Sequence, residues 1–145
     1  MQESSSSIGL YWDPETWSTA RAAYLSDLDR DPQCPDAYIG WLHRVIELHI
    51  ERGPAGRDAA GVEQPPRRRG GQGLTRTYPL NDDLVERMDD AIIDDRRDHG
   101  RALGRSGFVH EAVTLGIAAA RSRRNDDMLP PAPARLPTRP RRRGV

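Results

Sequence analysis

Residues 75–80 read Thr-Arg-Thr-Tyr-Pro-Leu, a short alternation with a proline one step from its end. A period of two puts Tyr78 and Leu80, together with Arg76, on one face and Thr75, Thr77 and Pro79 on the other. Proline has no N–H to donate to a sheet ladder, so a strand ending here must be an edge strand. A strand with a single neighbour, as in a two-stranded ribbon, meets that condition. Helical signals follow at once. Asn81 is a strong N-cap residue, and Asp82, Asp83 and Glu86 stand in the first turns, where the helix dipole favours negative charge. Leu84, Val85, Met88, Ala91 and Ile92 recur at helical spacing and predict one buried stripe. Gly100 and Gly104 bracket a break. Ser106 is placed to cap a second helix, with Gly107 in its first turn. Phe108, Val109, Ala112, Val113, Gly116, Ile117 and Ala120 then form the cleanest amphipathic pattern in the chain.

The order is strand, capped acidic helix, glycine-containing turn and apolar helix. Through TYPLNDDLVERM and GRSGFVHEAV it resembles the ribbon-helix-helix DNA-binding family over about a third of the chain. The resemblance implies an intertwined pair of units whose two strands form an antiparallel ribbon in the DNA major groove. Outward strand side chains would then read base edges, here Thr75, Thr77 and Pro79; a threonine donates or accepts a hydrogen bond and offers a methyl to thymine. Proline at the third position departs from the pattern, since it brings no hydrogen-bonding group, and Arg76 is the alternative contact. The start of the second helix, Arg105, Ser106 and Gly107, would face a phosphate with free backbone N–H groups.

The first half of the chain repeats this order. Residues 8–12 (IGLYW) suit a strand, and Asp13 followed by Pro14 is a strong helix start. Trp17, Ala20, Tyr24, Leu25 and Leu28 make its stripe, and DRDPQCPD breaks it. A second helix over about 37–51 offers Tyr38, Ile39, Trp41, Leu42, Val45, Ile46 and Ile50 to a core, and Gly53-Pro54 ends it. Aligning Trp12-Asp13 with Leu80-Asn81 gives an offset of 68, and aligning residues 36–39 with 106–109 gives 70. Under those offsets Tyr24 meets Ile92, Leu42 meets Ala112 and Ile46 meets Gly116. The expected fold is therefore mainly α, with a ribbon-helix-helix unit at 75–121 preceded by a strand-helix-helix module at 8–52. That module is either a degenerate repeat or an unrelated helical hairpin. A unit of roughly 45 residues cannot bury an adequate core alone. The halves must pair within one chain as an internal pseudo-dimer, or each with its counterpart in a homodimer.

Composition sets the outer bounds. The chain has 145 residues, 36% apolar, and a mean hydropathy of −0.78, so the core is modest and several stretches read as disordered. These are a polar leader at 1–7, a Gly/Pro/Arg linker at 54–74 and a Pro/Arg tail at 125–145, which divide the chain into a module at 8–53 and a DNA-binding unit at 75–124. The 22 basic residues, all arginine, balance 22 acidic ones. They are segregated: residues 1–53 carry −5, 54–77 carry +3, 78–120 carry −4 and 121–145 carry +6. Positive charge thus lies beside the DNA-binding unit, in Arg67, Arg68 and Arg69 before the strand and in Arg141, Arg142 and Arg143 near the end.

No apolar run approaches the roughly 18 residues of a membrane span, and the start lacks the regions of a signal peptide, so a cytoplasmic, nucleoid- or plasmid-associated location is expected. Lone Cys34 forms no intrachain disulfide and has no metal-ligand neighbours. Walker, paired-histidine and nucleophile-elbow motifs are absent, and no enzyme activity, cofactor or metal is expected. The acidic run Asp89, Asp90, Asp94, Asp95 and Asp98 reads as a solvated helix face. The expected function is sequence-specific DNA binding. Within the family, the extra helical module and the basic arms most resemble actinobacterial ParB-type proteins of plasmid partition, which bind centromere sites and recruit a Walker-type ATPase. Transcriptional repression, an antitoxin-type autorepressor and a helical adaptor that never touches DNA are the alternatives.

Overall fold

A computed structural model of the chain describes residues 4–65, 73–125 and 128–139. It is mostly helical, with one two-stranded antiparallel sheet. The order is β1 (Ser5–Trp12), α1 (Pro14–Arg30), α2 (Tyr38–Glu51), α3 (Gly53–Ala60), β2 (Leu74–Asn81), α4 (Asp82–His99) and α5 (Arg105–Arg123). β1 pairs with β2 from Ser5↔Asn81 to Trp12↔Leu74. Among the described residues each strand has only the other as neighbour, so Pro79, opposite Ser7, sits in an edge strand as its missing N–H requires.

The two strand-helix-helix halves close on each other. Asp13 and Asn81 both cap the helix after their strand: Asp13 Oδ2 accepts from Thr16 N, and Asn81 Oδ1 from Asp83 N and Leu84 N. The 68-residue shift that carries Asp13 onto Asn81 also carries Gly9 onto Thr77, its own partner across the ladder. An approximate twofold axis through the Gly9–Thr77 pair is thus built into the register. Leu10, Trp12 and Leu80 point from the sheet into the core, where α5 packs against α1, α2 and α4.

The second helices correspond differently from the sequence alignment. Their caps are Ala37 and Gly104, and buried Trp41, Leu42, Val45 and Ile46 match buried Phe108, Val109, Ala112 and Val113. That shift is three residues shorter than the one read from the sequence, because Ser106 is not the cap. α2 and α5 cross where Gly116 meets Val45; a Cβ on Gly116 would lie 2.6 Å from Val45 Cγ1.

Two acid–arginine pairs, each on a buried carboxylate, clamp the halves together. Asp27 on α1 accepts from Trp41 Nε1 at 2.9 Å and from Arg123 Nε and Nη2, both at 2.7 Å. Asp95 on α4 accepts from Arg57 Nε and Nη2, at 2.8–3.0 Å. Asp27 and Asp95 are related by the same 68-residue shift, and both are fully buried. The acidic run is therefore not wholly a solvated face: Asp95 turns inward and Asp89 is bound by Arg105. The reason is helical geometry, which puts Asp95 on the stripe of Met88 and Ala91 that faces the other half.

Arg57 stands in a segment whose composition reads as a disordered linker. The chain instead forms α3, and Arg57 Nη1 donates to the carbonyls of His49 and Ile50, satisfying the last turn of α2. Beside it, His49 Nε2 lies 3.0 Å from Glu111 Oε1 and its Nδ1 lies 2.8 Å from Arg52. A guanidinium only donates, so Nδ1 accepts and Nε2–H donates to Glu111. Burial pushes the His49 ring below the usual imidazole value, against the pull of Glu111 and helped by Arg52 and Arg57. Burial alone would raise the Glu111 carboxyl, but hydrogen bonds from His49 and Arg101 outweigh it and hold it below the ordinary range.

Two further segments depart from the composition. The serines read as part of a leader extend β1, with Ser6 Oγ donating to Asp82 Oδ1 at 2.6 Å and Asp82 N to Ser4 O at 2.9 Å. Residues 128–139 of the expected disordered tail cross α1: Arg21 donates to the carbonyls of Pro133 and Ala134, Tyr24 Oη to Pro137 O, and Arg139 N to Asp36 O. Leu129 and Leu136 pack against the core. Cys34 is buried beside Pro35, with burial raising its thiol to about 11.

Two predictions test this packing. Gly116→Val should lower stability by about 1–3 kcal/mol through overpacking against Val45, read as a fall in Tm, and Val45→Ala in the same chain should restore part of it. Both His49 and Glu111 have lowered folded-state values, so their stabilisation is present at neutral pH and is lost as pH falls. Tm should decline below about pH 6.5, the unfolded imidazole value. His49→Gln, which can still donate to Glu111 and accept from Arg52, should flatten the upper part of that decline in melts recorded across the pH range.

Candidate nucleic-acid interface

The alternation of each strand divides the sheet into a core face and an open face. On β2, Leu80 is buried and Leu74 and Tyr78 are half-buried, while Thr75, Thr77 and Pro79 are exposed. On β1, Ile8, Leu10 and Trp12 turn inward, and Ser5, Ser7, Gly9 and Tyr11 are exposed. Register then brings the open residues into three facing pairs: Ser7 with Pro79, Gly9 with Thr77, and Tyr11 with Thr75. The face carries hydroxyls, a phenol and a proline ring, and no charged side chain.

Thr75, Thr77 and Pro79 thus share one exposed face, as their spacing predicts. Arg76 lies on the other side of its strand, opposite Leu10. Its guanidinium stacks 5.4 Å from the centre of the Trp17 ring, which Arg21 also approaches at 4.7 Å, and Arg76 Nη1 donates to Thr75 O. Such a cation–aromatic contact holds Arg76 toward α1 rather than out with the threonines.

The first turn of α5 adjoins one end of this face. Ser106 does not cap the helix; Gly104 is the cap residue and the helix begins at Arg105. The Ser106 hydroxyl accepts instead from the backbone N–H of Tyr11 at 2.9 Å, tying β1 to α5. Arg105 is engaged by Asp89 in a two-pronged ion pair, Nε–Oδ1 2.9 Å and Nη2–Oδ2 2.7 Å. The hydrogen bond and charge of Arg105 lower the Asp89 carboxyl, and Asp89 in turn raises the Arg105 guanidinium. Gly107 O accepts from Gln64 Nε2 at 3.1 Å, so residues 61–65 are pinned over the start of α5. Tyr11, Ser106, Gly107, Gln64 and Pro65 share one small hollow. Arg67, Arg68 and Arg69, and Arg141, Arg142 and Arg143, lie outside the described residues.

Tyr11 is the residue that sequence reasoning missed. It is 52% exposed, and its ring lies against Gly73, where no Cβ could be accommodated. The signal was present: with Ile8, Leu10 and Trp12 taken as a period-two set, Tyr11 falls on the open face. Reading IGLYW as one apolar run hid it.

Among the described residues, no group of three or more His, Cys, Asp or Glu side chains is placed to hold a metal ion, and no helix is long and apolar enough to cross a membrane. The chain matches no protein-family model, no curated protein and no solved structure.

Proposed function

We propose that the chain is a single-chain ribbon-helix-helix protein that binds double-stranded DNA by laying β1 and β2 in the major groove. The observation that carries this reading is the open face of the ladder. It is two strands wide, the width a major groove admits, and it presents hydroxyl groups at the positions that would meet base edges. A protein-binding adaptor fits this face less well. Apart from Tyr11 it offers no large apolar side chain, whereas the centre of a protein interface is depleted in polar groups and rich in aromatics.

Among the described residues the face has no cation, so affinity would come from arginines elsewhere in the sequence. Arg67 to Arg69 precede β2 by a few residues, and Arg141 to Arg143 follow the segment that crosses α1. Division of labour of this kind is ordinary in DNA recognition: phosphate contacts supply grip and base contacts supply discrimination. Plasmid partition as a centromere-binding protein, or transcriptional repression, is the role we assign. In partition an arginine-bearing arm would also be the part that meets a Walker-type ATPase. An antitoxin role is disfavoured, because Leu129 and Leu136 of the tail pack against the chain's own core, which leaves Met128 as its one large exposed apolar side chain among the described residues.

A salt-titrated gel shift on DNA selected from a random duplex library tests the reading. Specific binding should weaken steeply with salt, and replacing Arg67, Arg68 and Arg69 by alanine should reduce affinity and the salt slope together. Thr77→Ala should cost discrimination between sites more than nonspecific affinity. No binding to any duplex at low salt would remove the DNA reading in favour of an adaptor. Asp89→Asn releases Arg105 from its ion pair. It should tighten nonspecific binding and steepen log K against log salt by up to about 0.9, the value for one added phosphate contact.

A further inference from the structure

We infer that the ribbon reads an asymmetric site, as one chain on one site, with its base-specific contacts concentrated at the Tyr11–Thr75 end. This rests on the DNA-binding reading above and goes on to say what kind of sequence is recognised and by which residues.

A ribbon made from two identical strands carries the same side chains on either side of its axis, and its site mirrors that symmetry. Here the axis passes through Gly9 and Thr77, but the residues it relates are chemically unlike. Tyr11 stands where Pro79 stands on the other strand, and Ser7 where Thr75 stands. Across the ladder this leaves Tyr11 facing Thr75 at one end and Ser7 facing Pro79 at the other. The first end holds a phenol hydroxyl on a long rigid arm, a second hydroxyl and a methyl group. The second holds the short hydroxyl of Ser7 and a ring with no donor or acceptor, with the short hydroxyl of Ser5 further out along β1. The phenol at the first end is therefore the hydrogen-bonding group with the longest reach toward a base edge.

That end is also braced against α5. The Tyr11 N–H is held by Ser106, and the Tyr11 ring is bounded by Gly73. Gln64 and Pro65, which lead into residues 66–72, line the hollow beside Tyr11, and Gly73 follows them.

No second chain is needed to complete the ribbon. The strand pairing and the ion pairs Asp27–Arg123 and Asp95–Arg57 are formed within one molecule.

The full chain should be used to select sites from a random duplex library, and the mass of the resulting complex measured by light scattering. The expected result is a non-palindromic site bound by one chain. Tyr11→Phe, which keeps the ring and removes the hydroxyl, should relax discrimination about tenfold at a single base position near one end. Ser7→Ala should leave the selected sequence unchanged. A palindromic site occupied by two chains would overturn the inference while leaving DNA binding intact. So would a loss from Ser7→Ala as large as that from Tyr11→Phe. Enrichment of no sequence, together with no salt-dependent binding, would instead remove the DNA reading on which it rests.

Discussion

The pairing of β1 with β2 is the constraint on which the rest of the structure depends. Among the described residues each strand has one neighbour, and that neighbour is the other strand. Leu10 and Trp12 on β1 and Leu80 on β2 reach the core only when the ladder is formed in this register. A slip of one residue would turn them to solvent and turn Tyr11 and Thr77 inward. The ladder joins Ser5 to Asn81, so its formation closes most of the chain into one loop. Neither half is a complete structure without the other.

The ion pairs on buried carboxylates serve that same union. A charge taken from water into a core is costly, and a buried pair is on balance weak evidence of net stability. Its consequence is specificity, since a buried Asp27 without Arg123, or Asp95 without Arg57, is strongly unfavourable. The two acids occupy equivalent places in the halves. The arrangement penalises any packing in which the halves are misaligned. Gly116 acts similarly by a different means, because its missing side chain sets how closely α2 and α5 cross. Together these features place the two strands side by side and leave one face of the sheet open.

The electrostatics of that open face bear on the proposed role. Its described side chains are uncharged, and Arg76 and Arg105 are occupied, the first by Trp17 and the second by Asp89. A neutral face in a chain that carries basic runs elsewhere in its sequence would separate recognition from attraction. The former would depend on Tyr11, Thr75 and Thr77, the latter on Arg67 to Arg69 and Arg141 to Arg143. Such a separation is compatible with a chain whose acidic and basic residues cancel overall.

Much of this was legible in the order of residues. The period-two alternation at 75–80 marked β2 and its open face, Pro79 marked it as an edge strand, and Asp13-Pro14 and Asn81 marked two helix starts. Stripes such as Met88 and Ala91, or Ala112 and Gly116, identified the buried sides of helices. All of these are properties of a few neighbouring residues, governed by backbone geometry and hydrogen bonding within a turn or two. What the sequence left open was settled by contacts between distant residues. The pairing of β1 with β2, the inward turn of Asp95, the order of α3 around Arg57 and the docking of residues 128–139 all depend on partners far away in the chain. Composition marked these last segments as unlikely to order themselves, and alone they would not. They order because Asp95, Asp36 and the carbonyls ending α2 provide hydrogen-bond partners once the two halves have closed.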